Sequence, residues 1–284
     1  MLSLLDIKSI LQKHKLWANK SLGQNFLIDS DILQKIITAG NLSKNDTVIE
    51  IGPGLGSLTQ ELCKNAGKVI AIEKDSNLIP ILKETTKEFK NLTILNQDAL
   101  KFEINKTNEY KLIANIPYYI TSPLINHFLR SEFISNKDPK LPKLIVLLIQ
   151  KEVAEKICRL KKYKQKHSVL SLNIHLFGEP EIISLVPKES FYPAPKVDSA
   201  ILKIRIFKEI NKDTLSYIST DFFKFIEAGF SNPRKKIHNS LSRGLQIPTE
   251  KIIEILKKAN IDPNRRSETL EIEEWKRLFH FHAF

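Results

Sequence analysis

The chain has 284 residues, 42% of them hydrophobic, enough for a real core and too many for an intrinsically disordered protein. Lys and Arg number 44 against 32 Asp and Glu, a net +12 that points to a polyanionic partner, nucleic acid before an anionic membrane. Two distant cysteines, Cys63 and Cys158, exclude a secreted disulfide scaffold, and no apolar run is long enough to span a bilayer, so a cytoplasmic monomer with no membrane association is expected.

Thr47–Ile51 predicts a first strand that ends in the run Gly52-Pro53-Gly54-Leu55-Gly56, followed by a helix carrying Leu58, Leu62 and Cys63. Val69–Ile72 predicts a second strand closed by Glu73, with Asp75 as N-cap of a helix bearing Leu78, Ile81 and Leu82. Leu92–Leu95 gives a third strand ending near Asp98, Tyr110–Ala114 a fourth that opens into Asn115-Ile116-Pro117-Tyr118-Tyr119, and Leu144–Ile149 a fifth. Strand and helix in alternation call for an α/β fold with a Rossmann-like, doubly wound, mostly parallel sheet. Pro180, Pro187, Pro193 and Pro195 exclude a regular helix over that stretch, and Val197–Phe207 alternates like a strand. From Thr214 onward the spacing is helical through Phe222–Phe225, Ile237–Leu241, Ile252–Leu256 and Leu270–Phe279. The expected domains are therefore 1–207, carrying the sheet, and 208–284, small, all-helical and RNA-binding.

The glycine run sits between a strand and a helix, where backbone amides can face a ligand. Its G-x-G-x-G spacing departs from the dinucleotide fingerprint, whose third glycine is replaced by Ser57. It suits a ligand without pyrophosphate but with a carboxylate and a ribose, such as S-adenosylmethionine. Glu73 at the next strand end can accept both ribose hydroxyls in charge-assisted bonds, and Asp98 can accept from the adenine amine of the same cofactor. Asn115-Ile116-Pro117-Tyr118-Tyr119 combines an amide that accepts and donates, a proline that cannot donate and two aromatic faces. That set can hold a flat, amine-bearing ring by its edge while stacking on it. Basic residues cluster at 159–166, with five in eight, at Arg234-Lys235-Lys236, and at Arg243 and Arg265-Arg266, as phosphate contacts would require. The histidines are scattered, His280-x-His282 reads as an exposed tail, and no metal site is expected.

Five motifs in order, Gly23–Leu27, Glu50–Gly56, Asn115–Tyr118, Phe191–Ser199 and the basic segment 230–241, are carried by this chain. With them it resembles the ribosomal RNA adenine dimethyltransferases, which doubly methylate adenosines near the end of small-subunit ribosomal RNA. The resemblance implies a seven-stranded sheet, S-adenosylmethionine as cofactor, and dimethylation of two adjacent adenosines in the 3'-terminal hairpin of small-subunit (16S) ribosomal RNA during ribosome biogenesis, in a pre-ribosomal particle. It further implies that Asn25 and Leu27 close over the cofactor and that Gly52, Glu73, Asp98 and Asn115 line its pocket. Asn115 and the Ile116 carbonyl would grip the target amine, and Tyr118 and Phe191 would stack on the base from opposite sides. Where relatives often carry two arginines after Phe-x-x, this chain has Pro233-Arg234, and His238 replaces a frequent basic residue. The alternatives are a large-subunit adenine methyltransferase of the antibiotic-resistance type and a non-catalytic RNA-binding factor on the same fold. A dinucleotide oxidoreductase comes third, disfavoured by glycine spacing and charge.

Overall fold

Short, wholly apolar stretches such as Leu144–Ile149 can hide both faces only inside a sheet covered on each side. In the computed structural model, which describes residues 2–18, 23–103, 109–135, 139–158, 166–210 and 212–283, nine strands form. They are β1 (Phe26–Leu27), β2 (Thr47–Ile51), β3 (Lys68–Glu73), β4 (Leu92–Asn96), β5 (Lys111–Asn115), β6 (Leu144–Gln150), β7 (Gly178–Val186), β8 (Phe191–Tyr192) and β9 (Ser199–Ile206). Seven of them make one sheet in the order β4-β3-β2-β5-β6-β9-β7. The first five in that order are mutually parallel, and β9 runs antiparallel to β6, with Leu144 opposite Arg205 and Gln150 opposite Ser199. The predicted α/β, mostly parallel sheet is thus the observed one.

The chain divides into two units. Met1–Glu132, Lys140–Ala154 and Pro180–Ile206 hold the sheet, and Phe133–Pro139, Glu155–Glu179 and Phe207–Phe284 form the second unit. One cut falls between Ile206 and Phe207, and the second unit also takes in two earlier segments of the chain.

Several elements were not read from the sequence pattern, among them the helices Leu4–Lys13, Ser30–Gly40 and Val169–Phe177 and the strands β1, β7 and β8. β7 carries the Glu179-Pro180 pair near its start and lies at the edge of the sheet, where a strand tolerates a missing donor. β1 and β8 pair antiparallel in a separate two-stranded sheet, Phe26 opposite Tyr192 and Leu27 opposite Phe191. Asp75 does not cap a helix as expected. The helix Ile79–Thr85 begins one turn later, and the Asp75 carboxylate instead accepts from the Asn77 amide at 3.0 Å.

The second unit packs helices Thr220–Gly229, Ile237–Leu245, Thr249–Lys258 and Ile272–Ala283 around an aromatic centre. Ser219 caps the first of these by accepting from the Phe222 amide. Phe225 meets Trp275 edge to face at 6.1 Å between centroids. Gly229 is there because a Cβ at that position would lie 2.3 Å from the Trp275 ring. His282 departs from the expected exposed tail: it sits on the last helix, its ring stacked 4.9 Å from Phe225.

Candidate active site

The order of the parallel strands reverses at β2, with β3 on one side and β5 on the other, and ligand crevices open beyond the carboxyl ends of strands at such a point. A cavity of about 300 Å³ lies there. Its wall is assembled from the residues that follow β2, β3, β4 and β5, together with Gly23–Leu27 from the amino-terminal segment.

The turn after β2 takes Gly52, Gly54 and Gly56 through φ values of 65°, 58° and 93°, a region costly for any residue with a Cβ. This conformation turns the Gly54 amide onto Glu73 at the end of β3, donating to Oε2 at 3.1 Å. The Asp75 amide donates to Oε1 at 2.8 Å. Both carboxylate oxygens are therefore held by backbone, each with a lone pair left for a ligand. Glu73 is buried; burial pushes its carboxyl upward and the Asp75 and Gly54 amides pull it back. Asp98 is treated oppositely. The Lys74 ammonium donates to Oδ2 at 2.8 Å and the Leu100 amide to Oδ1 at 3.0 Å, and these two bonds hold its carboxyl below the ordinary range.

Asn115 ends β5. Its Nδ2 donates one hydrogen to the backbone carbonyl of Asn25 at 3.1 Å, which fixes the orientation of the amide, and Oδ1 is its acceptor. Asn25 in turn uses its own side-chain nitrogen on the Gly23 carbonyl at 3.1 Å. Gly23, at φ 63°, lets this segment lie against the turn after β5, since its Cβ would stand 3.2 Å from Pro117. Gln24 fastens the same segment to the loop after β3 by donating to Asp75 Oδ2 at 3.0 Å. Leu27 and Ile116 are buried in the cavity wall. Tyr118 shares a 2.6 Å hydrogen bond with Ser199, which fixes its ring, and Tyr119 stands 57% exposed beside it.

Asn25, Leu27, Gly52, Glu73, Asp98, Asn115, Ile116 and Tyr118 thus come together in one wall. Phe191 does not join them. It is 3% exposed, paired with Leu27 across the β1–β8 ladder and packed in the core with Leu148, Val186 and Ile201. With no open face, its ring is not a stacking surface in this conformation; the aromatics lining the cavity are the buried Phe26 and, with more exposed rings, Tyr118 and Tyr119.

Glu50, Lys74 and Gln24 line the cavity without having been assigned a role from sequence. Glu50 left one signal, a lone acid in the apolar strand Thr-Val-Ile-Glu-Ile. It is 1% exposed, its Oε2 has no hydrogen-bond partner, and burial pushes its carboxyl up to about 8.

Of the basic clusters, Arg159–Gln165 lies outside the described residues, and Lys166 is paired with Glu268. Arg234, Lys235 and Lys236 are exposed on the turn that leads into the helix Ile237–Leu245, the Lys236 ammonium donating to Asn264 at 2.7 Å. Arg265 is engaged internally, forking onto the Glu274 carboxylate with both terminal nitrogens.

Residues 15–283 match the family model described as ribosomal RNA adenine dimethylase. The chain is 42% identical over 275 residues to a ribosomal RNA small subunit methyltransferase A of Dehalococcoides mccartyi, covering 95% of this chain and 90% of that one. It is 41% identical to the protein of the same name from Clostridioides difficile, covering 95% and 93%. Among solved structures, a dimethyladenosine transferase from Plasmodium falciparum superposes with a TM-score of 0.70 at 29% identity, covering 91% of this chain and 98% of that one. The 23S rRNA methyltransferase ErmE superposes with a TM-score of 0.66 at 27% identity, covering 92% and 100%.

Proposed function

This chain belongs to the ribosomal RNA adenine dimethylase family, and we propose that it dimethylates the exocyclic amines of two adjacent adenosines in the 3'-terminal hairpin of small-subunit ribosomal RNA, with S-adenosylmethionine as methyl donor. It acts as a monomer on a pre-ribosomal small-subunit particle. The residues of the cavity fit that cofactor. Glu73 offers a fixed carboxylate to the ribose diol, Asp98 an ionised acceptor to the adenine amine, and the glycine turn an unobstructed backbone. When bound, the cofactor supplies an electrophilic methyl group on a cationic sulfur.

The target amine is a poor nucleophile because its lone pair is delocalised into the purine ring. Asn115 Oδ1 and the Ile116 carbonyl accept its two hydrogens, which turns the lone pair out of the ring plane and toward the methyl group. No base has to remove a proton beforehand, since the nitrogen becomes acidic only once it carries the methyl group. Tyr118 and Tyr119 supply aromatic surface for the extruded base, worth about 1–3 kcal/mol for each stacked face. Arg234, Lys235 and Lys236 add phosphate affinity that carries no sequence information.

The observation that carries this reading is the bond from Asn115 Nδ2 to the Asn25 carbonyl, because it fixes the amide of a residue that lines the cavity and so sets the direction in which Oδ1 accepts. Asn115→Ala is expected to retain RNA binding, with its affinity for S-adenosylmethionine read separately from the rise in melting temperature. Methylation of small-subunit particles, read by mass spectrometry of ribosomal RNA fragments, is expected to fall about 10²- to 10³-fold. Undiminished methylation would remove the acceptor role. Preferential modification of large-subunit RNA by the unaltered protein would overturn the substrate assignment.

A further inference from the structure

Glu50 is a carboxyl with no use in the mechanism above. It lies on β2, two residues before Gly52, in the wall of the cavity that holds Glu73, Asp98 and Asn115. It is 1% exposed and its Oε2 has no hydrogen-bond partner. A buried, unpaired carboxylate is among the costliest groups a core can contain, and proteins avoid it by keeping the proton or by supplying a cation. The groups that face Glu50 supply none. From β3 comes Glu73, whose charge repels it. From the helix Ser57–Asn65 come Cys63, whose own thiol is pushed up to about 12, and the Thr59 hydroxyl. That hydroxyl favours the ionised form, yet its Oγ1 also has no hydrogen-bond partner of good geometry. The missing cation has to come with a ligand.

We propose that Glu50 is the counter-charge of the cofactor's sulfonium: it is protonated in the cofactor-free protein, gives up that proton when S-adenosylmethionine binds, and is protonated again once methyl transfer has left a neutral thioether. This rests on the cofactor assignment made above. The balance closes. The carbon–sulfur bond breaks with its electron pair staying on sulfur, the amine lone pair forms the new carbon–nitrogen bond, and the nitrogen sheds one proton. The Glu50 carboxylate takes up one proton from the cleft. The sulfonium and the carboxylate thus lose their opposite charges in the same turnover, and no uncompensated charge is left under the sheet. Glu50 acts on the relative affinities of cofactor and product, so it is a positioning group and does not touch the transferred methyl.

The test is titration calorimetry of the full chain with S-adenosylmethionine and, separately, S-adenosylhomocysteine, in phosphate and Tris buffers, whose different ionisation heats report protons released. At pH 7, S-adenosylmethionine should release close to one proton more than S-adenosylhomocysteine does. Its affinity should rise about tenfold per pH unit up to about pH 8 and level off above, while the affinity for S-adenosylhomocysteine stays flat. In Glu50→Gln, a neutral isostere of the protonated acid, the extra proton and the pH slope should vanish. Unchanged S-adenosylhomocysteine affinity in that variant reports an intact site. Equal proton release by the two ligands in the unaltered protein overturns the proposal without any appeal to the variant, as does a variant that keeps the wild-type release. Absence of binding by both ligands would instead remove the cofactor assignment, and this inference with it.

Discussion

The cavity at the strand ends and the basic turn of the helical unit both present polar groups to a ligand, but they prepare them differently. Glu73 and Asn115 are held by backbone partners, two amides on one and a carbonyl on the other, so their orientation is set before any ligand arrives. Arg234 and Lys235 are exposed on a turn, free to follow a phosphate wherever the backbone of a nucleic acid places it. Fixed acceptors discriminate, because a ligand that misplaces a donor leaves them unpaired; mobile cations hold without discriminating. The two regions are thus opposite kinds of surface, one fixed and one exposed.

The sharpest way to break that contrast is Glu73→Ala. Loss of a charge-assisted pair of hydrogen bonds is worth about 1.5–3 kcal/mol, so the dissociation constant of S-adenosylmethionine should rise about 10- to 100-fold with RNA affinity unchanged. Calorimetry that finds cofactor affinity intact would count against the ribose role. Next in size is Gly229→Ala. The added methyl meets the Trp275 ring at 2.3 Å, which the aromatic centre can absorb only by shifting. A loss of about 1–3 kcal/mol, read as a lower melting temperature with cofactor affinity unaltered, is expected. The smallest effect belongs to Arg234→Ala. It should weaken RNA binding uniformly across sequences and reduce the salt slope by roughly 0.7–0.9, with cofactor affinity untouched. A change in which adenosine is methylated would mean that this cation also discriminates.

Much of the site was legible because parallel strands announce themselves as apolar runs and deliver their last residues to one edge. Thr47–Ile51 is β2 as read from sequence, and Glu73, Asp98 and Asn115 follow from it. What escaped lies in pairings between distant segments. The bond from Asn115 to Asn25 joins residues 90 positions apart, and no local pattern encodes it. Phe191 illustrates the same limit. An aromatic before a proline-rich turn reads equally as a stacking face or as a core residue, and the partner that decides, Leu27, is remote in sequence. Glu50 was visible all along as an acid in an apolar strand, but its lack of a partner is a fact of packing and not of spacing.

The two-residue ladder between β1 and β8 has a mechanical corollary. Asn25 and Leu27 line the crevice, whereas Phe191 and Tyr192 lead into the loop that returns to Ser199, the anchor of Tyr118. Register ties these stretches like a yoke: the amino-terminal flap cannot slide without dragging the loop along or tearing the ladder. The amino-terminal wall of the crevice and the loop that anchors Tyr118 are therefore geared to each other through the backbone.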